Sequence, residues 1–155
     1  MRPPVTRQDL LDALLTGATT TSVLAALIGP PVVVRRLAVD VLPDDTPARA
    51  ALRPEPDAAL RFRRVRLIAA GIEAAEGALW YLPARLWPGM EAVLEATDTP
   101  FGAVVAPMGP RRVTLRAEMG DAGAEHSLVV TATVLSAQGE PIAYVQDRFA
   151  AWFTP

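Results

Sequence analysis

Asp147 is the residue whose surroundings first suggest chemistry. In Ile142-Ala143-Tyr144-Val145-Gln146-Asp147-Arg148-Phe149, the positions Ala143, Val145, Asp147 and Phe149 share one face of an extended strand. A carboxylate is thereby set on the more apolar face. Burying it is costly unless it is paired, and a carboxyl kept from water is a general-acid candidate. The plain alternative is a structural Asp–Arg pair near the sheet end. Glu76 is a second acid of this kind, on one parity with Ala74, Ala78, Trp80 and Leu82, where an edge position is the simpler reading.

The arginines are the candidate counter-charges. Leu60, Phe62, Arg64, Arg66 and Ile68 share parity, with Val65 and Leu67 on the other. Either a bulge near Arg63-Arg64 exchanges the faces, or Arg64 and Arg66 point into an apolar region. An inward guanidinium would be a bidentate anchor for a ligand carboxylate, for Asp147 or for Glu76. Arg112, Thr114 and Arg116 lie opposite Val113 and Leu115, and a solvated face is their default. Thr20, within Thr19-Thr20-Thr21-Ser22, is either part of a helix cap or beside free N–H groups that take an anion. The resulting site has Asp147, Arg64 and Arg66 as catalytic candidates. Thr20, Glu76, Arg112, Thr114 and Arg116 are the substrate-binding candidates.

Composition narrows the chemistry. All 15 basic residues are Arg, there is no Lys or Cys, and His126 is the sole histidine. A lysine Schiff base, a thiolate nucleophile and cysteine or multi-histidine metal sites are excluded. No metal and no cofactor is expected. The formal net charge of -2 argues against nucleic acid as a partner. The segment MRPPVTRQDLLDALL lacks a continuous apolar stretch, and no run reaches the roughly 20 residues of a membrane span. The expectation is a cytoplasmic protein, monomer or homodimer, with a small-molecule substrate as its partner. With 155 residues and 51% hydrophobic content, the chain is sized for one domain, residues 1–155.

The elements that must hold these residues follow from punctuation and period. Thr6 with Asp9 makes a capping box for a helix carrying Leu10, Leu11, Leu14 and Leu15, ended by Gly17. A second helix starts at Thr19–Ser22 and stops at Gly29-Pro30-Pro31. Val32–Leu42 reads as a strand, and Pro43–Pro56 as a loop. Leu60–Ala70 and Glu73–Leu82 read as strands about Gly71. A helix runs from Pro88 to about Ala96. Thr97–Gly102 is a turn feeding Val104-Val105. Arg111–Glu118, Ser127–Leu135 and Ile142–Phe153 are the closing strands. Short connections favour antiparallel pairing. The fold class is α+β, an antiparallel sheet of about six strands with helices packed on one face.

Several of these segments resemble the chorismate lyase family. They are Ala78–Leu86, then Met90 and Leu94, then Thr97-Asp98-Thr99-Pro100-Phe101-Gly102, and the ending Gln138-Gly139-Glu140-Pro141-Ile142 followed by a strand with an acid and Phe149. The helix start Thr19–Leu24 before the strand at Val32 is similar too. The effector-binding domains of GntR-type repressors share this architecture. The resemblance implies helices covering an internal ligand site, and cofactor-independent elimination of pyruvate from chorismate. It maps the family's last-strand Glu onto Asp147. It maps the family's Arg onto Ala78 or Leu79, neither of them basic, so that an Arg from another strand must replace it. Two functions follow as expectations. The first is a lyase-like enzyme acting on a small cyclic or aromatic carboxylate, by elimination or a related rearrangement. The second is a non-catalytic small-molecule-binding module like the repressor effector domains.

Overall fold

The computed structural model describes residues 4–155; Arg2, one of the basic residues in the N-terminal segment considered above, lies outside them. Two helices come first, α1 (Arg7–Leu15) and α2 (Thr20–Leu27). Thr6 and Asp9 form the anticipated capping box on α1, and the Thr19 hydroxyl accepts from the Ser22 N–H at the start of α2. Then follow β1 (Val32–Leu37), α3 (Thr46–Leu52), β2 (Arg61–Ala69), β3 (Ile72–Tyr81), α4 (Met90–Ala96), α5 (Phe101–Val105), β4 (Arg111–Met119), β5 (His126–Leu135) and β6 (Pro141–Ala150).

The six strands form one antiparallel sheet in the order β1-β2-β3-β6-β5-β4. Each half, β1-β2-β3 and β4-β5-β6, is a meander of sequence neighbours. The β3–β6 pairing is the seam between them, and it sets Gly77 opposite Asp147.

One face of the sheet carries four helices. Leu10, Leu14, Val23 and Leu24 of α1 and α2 pack on Leu67, Leu128, Val130 and Phe149. Leu94 of α4 and Phe101 of α5 pack on Leu79, Tyr81 and Val145. The reverse face carries α3, whose Ala48 and Leu52 meet Trp80, Leu82 and Tyr144.

Three local expectations change. The stretch Pro43–Pro56 contains α3, because Pro47 falls in the first turn, where its missing N–H costs nothing. Asp44 caps that turn through the Thr46 N–H and hydroxyl. The turn at Thr97–Gly102 opens a short helix, α5, rather than an extended segment. No bulge occurs at Arg63-Arg64; the register of β2 shifts between Leu67 and Ile68. Arg63, Val65, Leu67 and Ala69 therefore face the four helices. Phe62, Arg64 and Arg66 face the other way.

Candidate ligand site

The helical face of the sheet does not close completely under α2 and α5. A cavity of about 130 Å³ lies there, lined by Thr19, Thr20 and Thr21 at the start of α2, Phe101, Gly102 and Val105 of α5, and side chains from all six strands. Most of the lining is apolar. The exceptions are Arg63 from β2, Arg112 from β4 and Asp147 from β6, with the threonines of α2.

Asp147 is buried. Its Oδ2 accepts from the Thr20 hydroxyl at 2.6 Å and from Arg112 Nη2 at 3.0 Å. Arg112 Nη1 also donates to the Thr20 hydroxyl oxygen, at 2.9 Å. The three groups form a closed triangle that ties the first turn of α2 to the centre of the sheet. Charge-assisted hydrogen bonds of this kind are the stronger class, and here they share one desolvated space. Gly77 makes room for it: a Cβ there would stand 3.1 Å from Asp147 Oδ1 and 3.2 Å from Val65 Cγ2. On the other rim, a Cβ on Gly102 would meet Thr19 Cγ2 at 3.0 Å, so this glycine lets α5 approach α2.

Arg63 is the second ionic feature. It is 6% exposed, and its Nη2 donates to the Thr97 carbonyl at 2.9 Å. Its Nε is buried without an acceptor. Burial, and then the neighbouring Arg36 charge, pull the guanidinium below its ordinary value. Arg63 stands opposite Leu79 in the β2–β3 register. A cation from the adjacent strand thus enters the cavity beside Leu79, one of the two positions onto which the family's arginine maps.

The structure sorts the other sequence-predicted residues by face. Thr20, Arg112 and Asp147 come together. Arg64 and Arg66 do not join them, because the inner parity of β2 is the other one. Arg64 Nε lies 3.5 Å from Glu76 Oε1 and its guanidinium sits over Phe62, while Arg66 Nε lies 3.0 Å from Glu73 Oε1. Glu76 is on that reverse face as well, half-buried. Arg116 follows a register shift in β4 and pairs with Glu118 at 3.0 Å on the exposed edge. Thr114 is on the same face as Arg112, half-buried, but outside the cavity lining. Arg63, Gly77, Phe101 and Gly102 are among the lining residues that were not site candidates on sequence. Arg63 belongs to the alternation Arg63, Val65, Leu67, Ala69, which the apolar residues Leu60, Phe62 and Ile68 of the opposite parity masked. Among the described residues no group of three His, Asp or Glu side chains converges on a point where a metal could sit. None of their helices is long and apolar enough to cross a membrane.

No family model matches the chain. The uncharacterized protein y4mC of Sinorhizobium fredii is 31% identical over 120 residues, which cover 72% of this chain and 51% of that protein. The chain therefore spans about half the length of this relative. Among solved structures, the effector domain of PhnF from Mycobacterium smegmatis superposes with a TM-score of 0.64 at 16% identity, covering 88% of this chain and 91% of that domain. Against the longer PhnF chain the TM-score is 0.63 at 15% identity, covering 89% of this chain and 66% of that one. A chain described as the ligand-binding domain of a GntR-family transcriptional regulator from Bordetella bronchiseptica gives 0.55 at 15% identity, over 79% and 86% of the two chains. The α+β fold with its six-stranded antiparallel sheet is the fold of these regulator domains. The effector-domain side of the resemblance is thereby supported; lyase activity draws no support from it.

Proposed function

We propose that residues 1–155 form one non-catalytic small-molecule-binding domain, the kind of unit that serves a transcriptional regulator as its effector-binding part. The observation that carries this reading is the cavity between the sheet and α2/α5, with an apolar wall, a mutually hydrogen-bonded Thr20–Arg112–Asp147 triangle and one further buried cation. Concave, largely apolar spaces with a few placed polar groups are the usual form of a ligand site. Thr20, Arg112 and Asp147 shape one wall and fix α2 against it, and Arg63 supplies the anchor. The fold shared with regulator effector domains supports the same reading. Cytoplasmic action on a metabolite fits it.

A thermal-shift panel of small organic acids, amides and sugars tests the proposal. A ligand at a hundredfold excess over its Kd adds about 2.7 kcal/mol of stability. For a domain of this size that is a rise of several degrees in Tm. Saturable stabilisation without turnover is the expected result, and no response across the panel would overturn it.

A lyase reading rests on Asp147 Oδ1, which stays clear of the ion pair beside Gly77. Incubation with chorismate and assay of pyruvate decides it. Release that disappears in Asp147→Asn would establish an enzyme; no release from the folded protein removes the activity.

A further inference from the structure

The two edges of the sheet are not alike. β1 is six residues long and carries Arg35 and Arg36. Its outer side is already engaged. The Arg36 N–H donates to Asp98 Oδ1 at 3.3 Å, and the Arg36 side chain reaches the same carboxylate and the Glu95 carbonyl. The chain between α4 and α5 thus covers that edge. Short, charged and covered edge strands resist pairing with another chain.

β4 is nine residues long and pairs only with β5. From Leu115 to Met119 every residue is exposed. Beyond the strand, the Gly120 N–H donates to the Ser127 carbonyl. Backbone groups alternate sides along an antiparallel ladder, so Glu118 and Arg116 turn theirs to β5, while Met119 and Ala117 turn theirs outward. Among the described residues nothing takes up these outward groups. The register shift between Thr114 and Arg116 inserts Leu115 as an extra residue and limits the open edge to this run.

The run matches its own reverse. Around Ala117 stand Arg116 and Glu118, then Leu115 and Met119. Leu115 is 53% exposed and Met119 41%. Arg116 and Glu118 meet only each other, at 3.0 Å, with most of both side chains in solvent. Laid antiparallel on a second copy about an axis at Ala117, Arg116 falls opposite Glu118, and Leu115 opposite Met119. A two-fold interface must be self-complementary in this way. Opposite charges directly across a ladder stabilise it, and like charges destabilise it.

We propose that β4 is a dimerisation edge, with Leu115–Met119 paired antiparallel to the same segment of a second copy about a two-fold axis at Ala117. Ala117 exchanges backbone hydrogen bonds with its symmetry mate, and the two six-stranded sheets become one. The order of charges selects a second copy as the occupant, since the segment supplies its own complement. The contact is short, so the association is a weak and reversible one. It does not depend on what the cavity binds.

Sedimentation of the whole chain, from low micromolar concentration to about 1 mM, tests this. A reversible monomer–dimer equilibrium is expected. Glu118→Arg and Arg116→Glu each set like charges across both symmetry-related pairs, and each should weaken dimerisation roughly tenfold or more. The double variant R116E/E118R restores opposite charges and should return to within about threefold of the unaltered chain. A chain that stays monomeric throughout overturns the proposal and leaves the edge to a different partner. A dimer that persists in both single variants, or a double variant as weak as either, also overturns it. The altered side chains are exposed, so circular dichroism should be unchanged. Should a charge variant fail that check, Ala117→Pro decides in its place, because it removes an outward N–H that β5 does not use; an undiminished dimer in A117P overturns the ladder.

Discussion

Asp147 illustrates how a buried ionic residue can be indispensable without reacting. Replacing it with Asn leaves Arg112 desolvated without its counter-charge, an error that costs roughly 3–5 kcal/mol in other proteins. Thr20→Val removes a hydroxyl but keeps the ion pair, and roughly 1–3 kcal/mol is expected. Urea unfolding of both variants checks the ordering; an Asp147→Asn loss no larger than that of Thr20→Val would show that the pair is not the centre of the network. Asp147 was legible from sequence because β6 is apolar on that parity and its strand carries no competing acid. Arg63 was not. Leu60, Phe62 and Ile68 made the opposite parity of β2 look like the inner one, yet Phe62 is apolar because α3 covers part of the reverse face. A sheet with helices on both faces has two apolar parities, and alternation alone cannot rank them.

Among the elements, α3 and β3 carry the sharpest expectations. Leu52 of α3 is fully buried against the reverse face. Arg85 holds the end of that helix, donating to the carbonyls of Leu52, Arg53 and Pro141. Leu52→Ala should cost roughly 2–5 kcal/mol, with faster amide hydrogen exchange across Thr46–Leu52 as its mark. Exchange unchanged there would mean that α3 is held by Arg85 rather than by its apolar face. In β3, Gly77→Ala forces a methyl against Asp147 Oδ1 and Val65. Such overpacking costs roughly 1–3 kcal/mol, and the variant should weaken any cavity ligand along with the fold. The helix was hidden in the sequence by four prolines and three acids from Pro43 to Pro56. Composition of that sort reads as loop, while the local cap at Asp44–Thr46 and the burial of Leu52 decide for helix.

The whole molecule has an alkaline limit built into its core. Burial raises the phenol of Tyr81, with Glu95 and Glu91 adding to the effect, and burial raises that of Tyr144. Above pH 10, the ordinary value for tyrosine, the unfolded chain releases these protons while the native chain still holds them. The unfolded state then binds fewer protons, so stability falls as pH rises from about that point. Tyr81→Phe should flatten this fall in a denaturation series between pH 9 and 11, and an unchanged slope would count against Tyr81 as its source. At this scale the sequence was most informative: strand periodicity, short turns and the capped N-terminal helices already imply the α+β class. The side of the sheet on which each helix packs is set by contacts far apart in the chain, which no local pattern records.

The seam between β3 and β6 has a kinetic consequence. Arg63 arrives on the first meander, and Arg112 and Asp147 arrive on the second. The pairings β2–β3, β4–β5 and β5–β6 are local hairpins and β1–β2 spans only α3 and its flanking loops, whereas joining the two meanders closes a longer loop, and contacts distant in sequence are the slow ones to gain. The cavity has no existence until that joint is made. Substitutions around it are therefore expected to leave the refolding limb of a chevron nearly untouched and to steepen escape from the native state, and a bound ligand should act as a brake on unfolding rather than as a spur to folding.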